Sequence, residues 1–230
     1  MYKETAPSLE NEIYQINLTD LPYPIRIRKG TTDLQTFNEV FVNEEYYFDK
    51  EIQVDFIIDC GANIGLTSIY LKWQFPNAFI VAVEPEKSNY DILIKNLSNY
   101  SPSIQCLQKA IWNKETELRI KNKDAGKWAF SVEETLIQDP SNIKAITIDN
   151  ILIKFGRRQI DILKIDIEGA ELELFQSGYE NWLPITKLIL IETHDRIRNG
   201  CSASLLKALS HYNFSIYANG NTTICLNLDI

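Results

Sequence analysis

The 230-residue sequence has no C-x-x-C pair, no G-x-G-x-x-G, no basic run longer than Arg157-Arg158 and no long apolar run. Each absence removes a class of protein. The four cysteines, Cys60, Cys106, Cys201 and Cys225, are scattered, and they are expected to be reduced thiols. The start, MYKETAPSLENEIY, lacks the apolar core of a signal peptide, and Tyr2 stands where N-myristoylation needs a glycine. Runs such as KLILI are far too short to span a bilayer. A cytosolic setting without membrane partners is therefore expected. Lys and Arg number 23 against 31 Asp and Glu, a formal net charge of −8. Such a surface repels phosphate backbones, so nucleic acid is not an expected partner.

Hydrophobic residues make up 45% of the chain, ample for a sizeable core. Residues 12 to 28 read as short strands around the LPYP turn. Thr31, Thr32 and Asp33 are helix-cap residues in front of the helically spaced LQTFNEVFV. Then the rhythm changes to alternation. VDFIIDC, AFIVAVE, IQCLQKAI, IDILKIDIE and KLILIETH read as buried strands. IGLTSIYLKWQF, a segment starting at Ser88 and Asp91, AELELFQS and SLLKALSHY read as helices. The stretch 113 to 145 is less regular, with LRIKN and WAFSV expected to pair across KDAGK. A hairpin around Asn219-Gly220-Asn221 closes the pattern. Continuous apolar strands alternating with helices predict an α/β fold with a doubly wound, mostly parallel sheet. Ligands bind such sheets beyond the carboxyl ends of the strands, which directs attention to Asp59, Glu84, Asp166 and His194. Residues 1–50 are expected to form a small N-terminal extension and 51–230 the catalytic domain.

The stretch IIDCGANIG places an acid, Asp59, before a Gly61-x-x-x-Gly65 turn. Glycines there let the chain turn sharply and a ligand approach closely. A carboxylate at that turn is unfavourable for a dinucleotide pyrophosphate, which counts against a nicotinamide-dependent oxidoreductase. It suits S-adenosylmethionine, which carries an ammonium and a sulfonium and no phosphate. Glu84, 25 residues after Asp59, ends the second strand of this pattern, where an acid can accept hydrogen bonds from a ribose diol. The bland reading of Glu84 is a strand-end cap.

DCGANIG, VEP, LKIDIEGAELELF and IETH, in that order, resemble the FkbM-type class I methyltransferases, over about residues 25 to 195. The resemblance implies a Rossmann-like, seven-stranded sheet with its last strand antiparallel. It implies S-adenosylmethionine as donor and, usually, methylation of a hydroxyl on a sugar, glycan precursor or secondary metabolite. It sets Asp59, Gly61, Asn63 and Gly65 at the methionine end of the donor, Glu84 on the ribose, and Ala110 and Ile111 beside the adenine. Asp166, Glu168 and His194 would face the reacting methyl group. An N-methyltransferase of protein or nucleic acid is the alternative, but the corresponding strand ends in DIEG and the chain has no Pro-Pro dipeptide. A binding module without chemistry is a further alternative.

A hydroxyl acceptor must lose its proton, to a base or with the help of a metal. Three readings of the acids near His194 stay open. His194 or Asp166 is the base. Alternatively, Asp166, Glu168, Glu192 and His194 include ligands of a divalent cation, though nothing in the sequence fixes a coordination geometry and no metal ligand is assigned. Or some of these acids cap the helix after Gly169 or pair with Lys164. If the strand runs on to 168, Asp166 and Glu168 point the same way. Glu171 reads as a first-turn helix acid and His211 as structural. Tyr46, Tyr47, Phe48, Trp128 and Phe130 either cover the donor or pack the core, and Lys127 and Ser131 are candidate acceptor contacts. The acceptor is expected to be a small molecule or saccharide; the oligomeric state is left open.

Overall fold

The computed structural model describes residues 12–49, 52–120, 132–135, 139 and 141–230. The chain starts with two antiparallel strands, β1 (Ile13–Ile16) and β2 (Ile25–Arg28), and α1 (Asp33–Phe37), which runs on into a π-helical turn, Asn38–Val42. Alternation follows: β3 (Phe56–Cys60), α2 (Leu66–Gln74), β4 (Phe79–Val83), α3 (Lys87–Leu97) and β5 (Ile104–Leu107). A second, four-stranded sheet is built from β6 (Ala110–Ile111), β7 (Glu117–Ile120), β8 (Val132–Glu134) and β9 (Ile143–Ile146). The chain then continues through α4 (Ile148–Phe155), β10 (Ile160–Ile165), α5 (Glu171–Leu174), β11 (Thr186–Ile191), α6 (Cys201–Leu209), β12 (Phe214–Asn219) and β13 (Thr222–Asn227).

The main sheet has seven strands in the order β12-β13-β11-β10-β3-β4-β5. β13 runs antiparallel to both of its neighbours; the pairings among β11, β10, β3, β4 and β5 are parallel. Every residue of β3 and β10 is buried, as expected of strands covered by helices on both faces. Side chains alternate between two cores. Ile57, Ile80, Ile162 and Leu188 face α2, α3 and the N-terminal segment. Ile58, Val81, Leu163 and Ile189 face α4 and α6. The strand order reverses between β3 and β10, and a ligand cleft opens at such a switch point.

The N-terminal segment is bonded to this frame. Ile25, Ile27, Phe37 and Val40 lie in the same core as α2 and α3. The buried Asn96 of α3 accepts from the Arg26 N–H at 2.8 Å and donates to the Arg26 carbonyl at 3.0 Å and to the Ile64 carbonyl at 2.8 Å. The expected boundary at 50/51 falls outside the described residues. No helix among the described residues is long and apolar enough to cross a membrane.

Four sequence expectations change. IQCLQKAI breaks at Gln108-Lys109 into β5 and β6, which lie in different sheets. The N-cap of α3 is Glu86, whose carboxylate accepts from the Asn89 N–H at 2.7 Å, not Ser88. An unforeseen helix, α4, is capped by Thr147 and stopped by Gly156. β10 ends at Ile165 and does not reach Glu168. The pairing of β7 with β8 is as expected for the hairpin, but its KDAGK turn lies outside the described residues, as do Lys127, Trp128, Phe130 and Ser131.

Candidate active site

A cavity of about 450 Å³ opens over the carboxyl ends of β3, β10 and β11. This is within the range of small-molecule sites. Its floor is the Gly61–Asn63 turn and Lys164. One wall carries Asp166, Glu168, Glu192 and His194, and the other is supplied by α1 and Tyr46. A second cavity, about 480 Å³, lies between Tyr46–Phe48 and α2; its lining contains no carboxylate or imidazole. Tyr46 borders both, so the aromatic cluster expected to cover a ligand is divided between cleft and core.

The glycine turn is held tightly. The Gly61 and Ala62 N–H groups both donate to the Val83 carbonyl at 2.9 Å. Gly61 has φ +76°, and a Cβ there would stand 1.8 Å from the Asp166 carbonyl oxygen, so the chain just past β10 leaves no space for a side chain. Gly65, also left-handed, starts α2. Asn63 has φ +49°; its N–H donates to Glu84 Oε2 at 2.9 Å, while its buried Oδ1 has no hydrogen-bond partner. Glu84 Oε1 accepts from the Glu86 N–H at 2.9 Å and from the Asn89 side chain at 3.4 Å. Asn89 in turn accepts from Arg28, which is paired with Asp33 at 2.7 Å. Burial pushes the Glu84 carboxyl up to about 7, against the downward pull of these hydrogen bonds.

Asp59 does not face the cleft as the sequence suggested. It is 0% exposed. Ser68 Oγ donates to its Oδ2 at 2.6 Å, and Lys164 Nζ lies 3.3 Å from its Oδ1. The reason is register. Asp59 and Lys164 are neighbours across β3 and β10, which places both side chains on one face. Asp59 therefore acts on the turn through Lys164, whose ammonium donates to the Gly61 carbonyl at 2.7 Å. Ala110 and Ile111 pair with Ala145 and Ile146 and are buried; like Glu84 and Gly65, they are not among the residues that line this cleft.

Asp166, Glu168 and His194 do converge. From His194 Nε2 the distances are 3.5 Å to Asp166 Oδ1, 3.6 Å to Glu168 Oε2 and 4.0 Å to Glu192 Oε1. Glu168 arrives by a left-handed turn, φ +53°, rather than by strand alternation. For a residue with a Cβ this conformation carries strain, which concentrates at functional sites. Glu171 is the residue that the sequence reading undervalued. It is 0% exposed, and its oxygens accept from the Ile167 N–H at 3.1 Å and the Gly169 N–H at 2.9 Å. A carboxylate thus anchored can only accept, so His194 Nδ1–H donates to its Oε1 at 2.9 Å. That fixes the ring and turns Nε2 toward the other acids. The one sequence cue was an acid two residues after Gly169.

The electrostatics follow from this crowding. Burial would lower the His194 imidazole, but the Glu171 hydrogen bond and the charges of Glu171, Asp166 and Glu168 raise it to about 9. Burial and then Asp166 push Glu168 up to about 8 and Glu192 up to about 6. The wall of the cleft thus favours positive charge, whether a proton or a cation.

The chain is similar to known proteins over the stretch that contains these residues. The methyltransferase FkbM domain matches residues 59–216, more than half of the chain. The methyltransferase sdnD of Sordaria araneosa is 26% identical over 189 residues, 68% of this chain and 73% of that protein. The AMB antimetabolite synthetase AmbE of Pseudomonas aeruginosa is 24% identical over 213 residues, 76% of this chain but only 10% of that protein. The structure of the methyltransferase FkbM from Methylobacillus flagellatus KT superposes with a TM-score of 0.56 at 15% identity, over 83% of this chain. This chain spans 47% of that one, and a likeness at this identity shows the fold alone.

Proposed function

Since the chain belongs to the methyltransferase FkbM domain family and is a methyltransferase, we propose that its donor is S-adenosylmethionine and its acceptor a hydroxyl oxygen on a sugar, glycan precursor or secondary metabolite. The observation that carries this reading is the fixed imidazole of His194 facing Asp166 and Glu168 across the cleft from the Gly61–Gly65 turn. Hydroxyl methylation needs a proton acceptor, which amine methylation with a free lone pair does not. The name of one relative, an antimetabolite synthetase, is in keeping with a small-molecule acceptor.

The residues of the turn fit this donor. Asn63 Oδ1 is a buried acceptor without a hydrogen bond, which suits an ammonium or hydroxyl donor and not a phosphate. Gly61 lets the turn pass close against the Asp166 backbone, which sets the turn's position at the cleft. When bound, the donor supplies a methyl carbon on a sulfonium, which departs as a neutral thioether. The chain's own residues do the rest. Gly61, Asn63 and Gly65 hold the methionine end, Glu84 takes ribose hydroxyls with its unused lone pairs, and one unprotonated member of the group Asp166, Glu168 and His194 takes the acceptor's single hydroxyl proton. Alignment of the two reactants supplies most of the acceleration.

Calorimetric titration of the purified chain tests the donor. Micromolar binding of S-adenosylmethionine and S-adenosylhomocysteine without binding of NAD is expected; binding of NAD alone would overturn the reading. A 13C-methyl donor with an acceptor panel then tests the chemistry, since ether and amine methyl carbons differ in chemical shift.

Glu84 yields a pH prediction. In the free protein its pKa stands above the usual carboxylate value of 4.5, at about 7. The stability gained by burying the neutral acid is therefore full below about 4.5 and lost as pH rises through about 7. Donor binding has the opposite sense, because the ionised carboxylate is the better acceptor for a ribose diol. Donor affinity is expected to rise roughly tenfold between about pH 6 and 8, as the ionised fraction does. Glu84→Gln should flatten that rise when the dissociation constant is measured across the range. An unchanged slope in the variant would remove Glu84 from the donor site.

A further inference from the structure

We infer that Asp166, Glu192 and His194 together form a binding site for one divalent transition-metal cation. It goes beyond methyl transfer, and rests on the proposed reading only for its catalytic consequence. The first observation is geometric. One donor atom from each of the three residues can be chosen such that all lie within 4.8 Å of one another. Two ligands bonded at about 2.1 Å to one ion stand about 3.0–3.4 Å apart in octahedral or tetrahedral arrangement. His194 Nε2 is already 3.5 Å from Asp166 Oδ1 and 4.0 Å from Glu192 Oε1. Small rotations of the two partly exposed carboxylates close the gap, with the imidazole as the fixed member.

The second observation is the way the imidazole is held. His194 is 8% exposed, and its Nε2 faces the cleft, with carboxylate oxygens of Asp166, Glu168 and Glu192 3.5, 3.6 and 4.0 Å away. The ring is held in place, because Nδ1–H is bound by a fully buried glutamate whose two oxygens are anchored by backbone N–H groups. A buried carboxylate behind one imidazole nitrogen is the arrangement that orients metal-ligating histidines. Lys164 does not block the site. It approaches Asp166 at Oδ2, 3.7 Å away, and leaves Oδ1 to the cleft. One nitrogen and two carboxylate donors suit Mn2+ or Zn2+ better than an all-oxygen ion such as Ca2+. A cation there would lower the pKa of an acceptor hydroxyl, whose proton would pass to Glu168, 3.6 Å from Nε2.

The test is a titration of the full chain, stripped of metal with a chelator and dialysed, with Mn2+ while the free-ion electron paramagnetic resonance signal is recorded. One Mn2+ per chain is expected. Asp166→Asn and His194→Gln should each weaken binding at least tenfold. Glu171→Gln, which would touch no metal, should weaken it roughly 10–100-fold. Asp91→Asn, on the exposed face of α3, should leave it unchanged. Visible absorption of Co2+ added to the unaltered protein, distinct from that of aqueous Co2+, reports inner-sphere ligation without any variant, and thermal denaturation shows which variants fold. Absence of binding below millimolar Mn2+, or binding indifferent to all three site variants, would overturn the inference. Donor titration of the metal-free protein separates the cases: donor binding without metal binding sinks this inference alone.

Discussion

His194→Ala is expected to lower kcat by roughly 10²–10⁴-fold, the usual contribution of a positioned proton-transfer group, while the donor dissociation constant stays within a few-fold. The asymmetry follows from position. His194 faces the acids at the ends of β10 and β11, whereas the expected donor contacts, Gly61, Asn63 and Glu84, lie on the turn after β3 and at the end of β4. The same loss follows if Nε2 carries a metal instead of a proton, so kcat alone does not distinguish these roles; the Mn2+ titration does. A stability effect has to be separated from catalysis, because removing the ring leaves the buried Glu171 short of one hydrogen bond, which costs about 1–3 kcal/mol. His194→Gln can still offer Glu171 an N–H. It should recover much of the melting temperature and none of the turnover. A His194→Gln variant with normal single-turnover methyl transfer would exclude the residue from the chemistry.

Gly61→Ala should act on the fold as much as on the donor. The left-handed backbone alone costs a residue with a Cβ about 1–2 kcal/mol. At Gly61 there is also a collision, since the Cβ would lie 1.8 Å from the Asp166 carbonyl oxygen and 2.8 Å from its carbon, and β3 and β10 would have to part. Gly156 is the matched control: φ is +62°, and nothing stands within 4 Å of its Cβ position. Gly156→Ala should therefore cost only the backbone part. Gly61→Ala should cost at least about 3 kcal/mol, a fall in Tm of roughly 6–12 °C for a chain of this size, together with loss of donor binding. Equal effects of the two variants in thermal denaturation would refute the argument from the collision.

The strands were legible because β4 is wholly apolar and β3, β10 and β11 are mostly so, and a strand buried on both faces calls for such a composition. The same rule hid α4. Its ILIKF is rich in isoleucine and short, and apolar runs of that length read equally as strand. The convergence of Asp166, Glu168 and His194 was foreseen, though for Glu168 by the wrong route, since a left-handed turn rather than strand alternation brings it in. What the sequence did not disclose depends on pairing between distant segments. Asp59 is buried because its register partner is Lys164, 105 positions on. Glu171 and His194 meet although they are 23 positions apart, on separate elements. No local pattern encodes such contacts.

The side chain of Asn96 has a consequence for solubility. Among the described residues β2 pairs with β1 along one edge, and an open strand edge is a template on which another chain can add a strand and begin to aggregate. At Arg26 the two backbone groups that such a strand would seize are already engaged by one amide, which accepts from the N–H and donates to the carbonyl. Asn96 thus imitates a single rung of a third strand without supplying the rest of the ladder. Among the described residues the small N-terminal sheet has two strands, and the wall of the cleft that follows it is kept from becoming a site of intermolecular pairing.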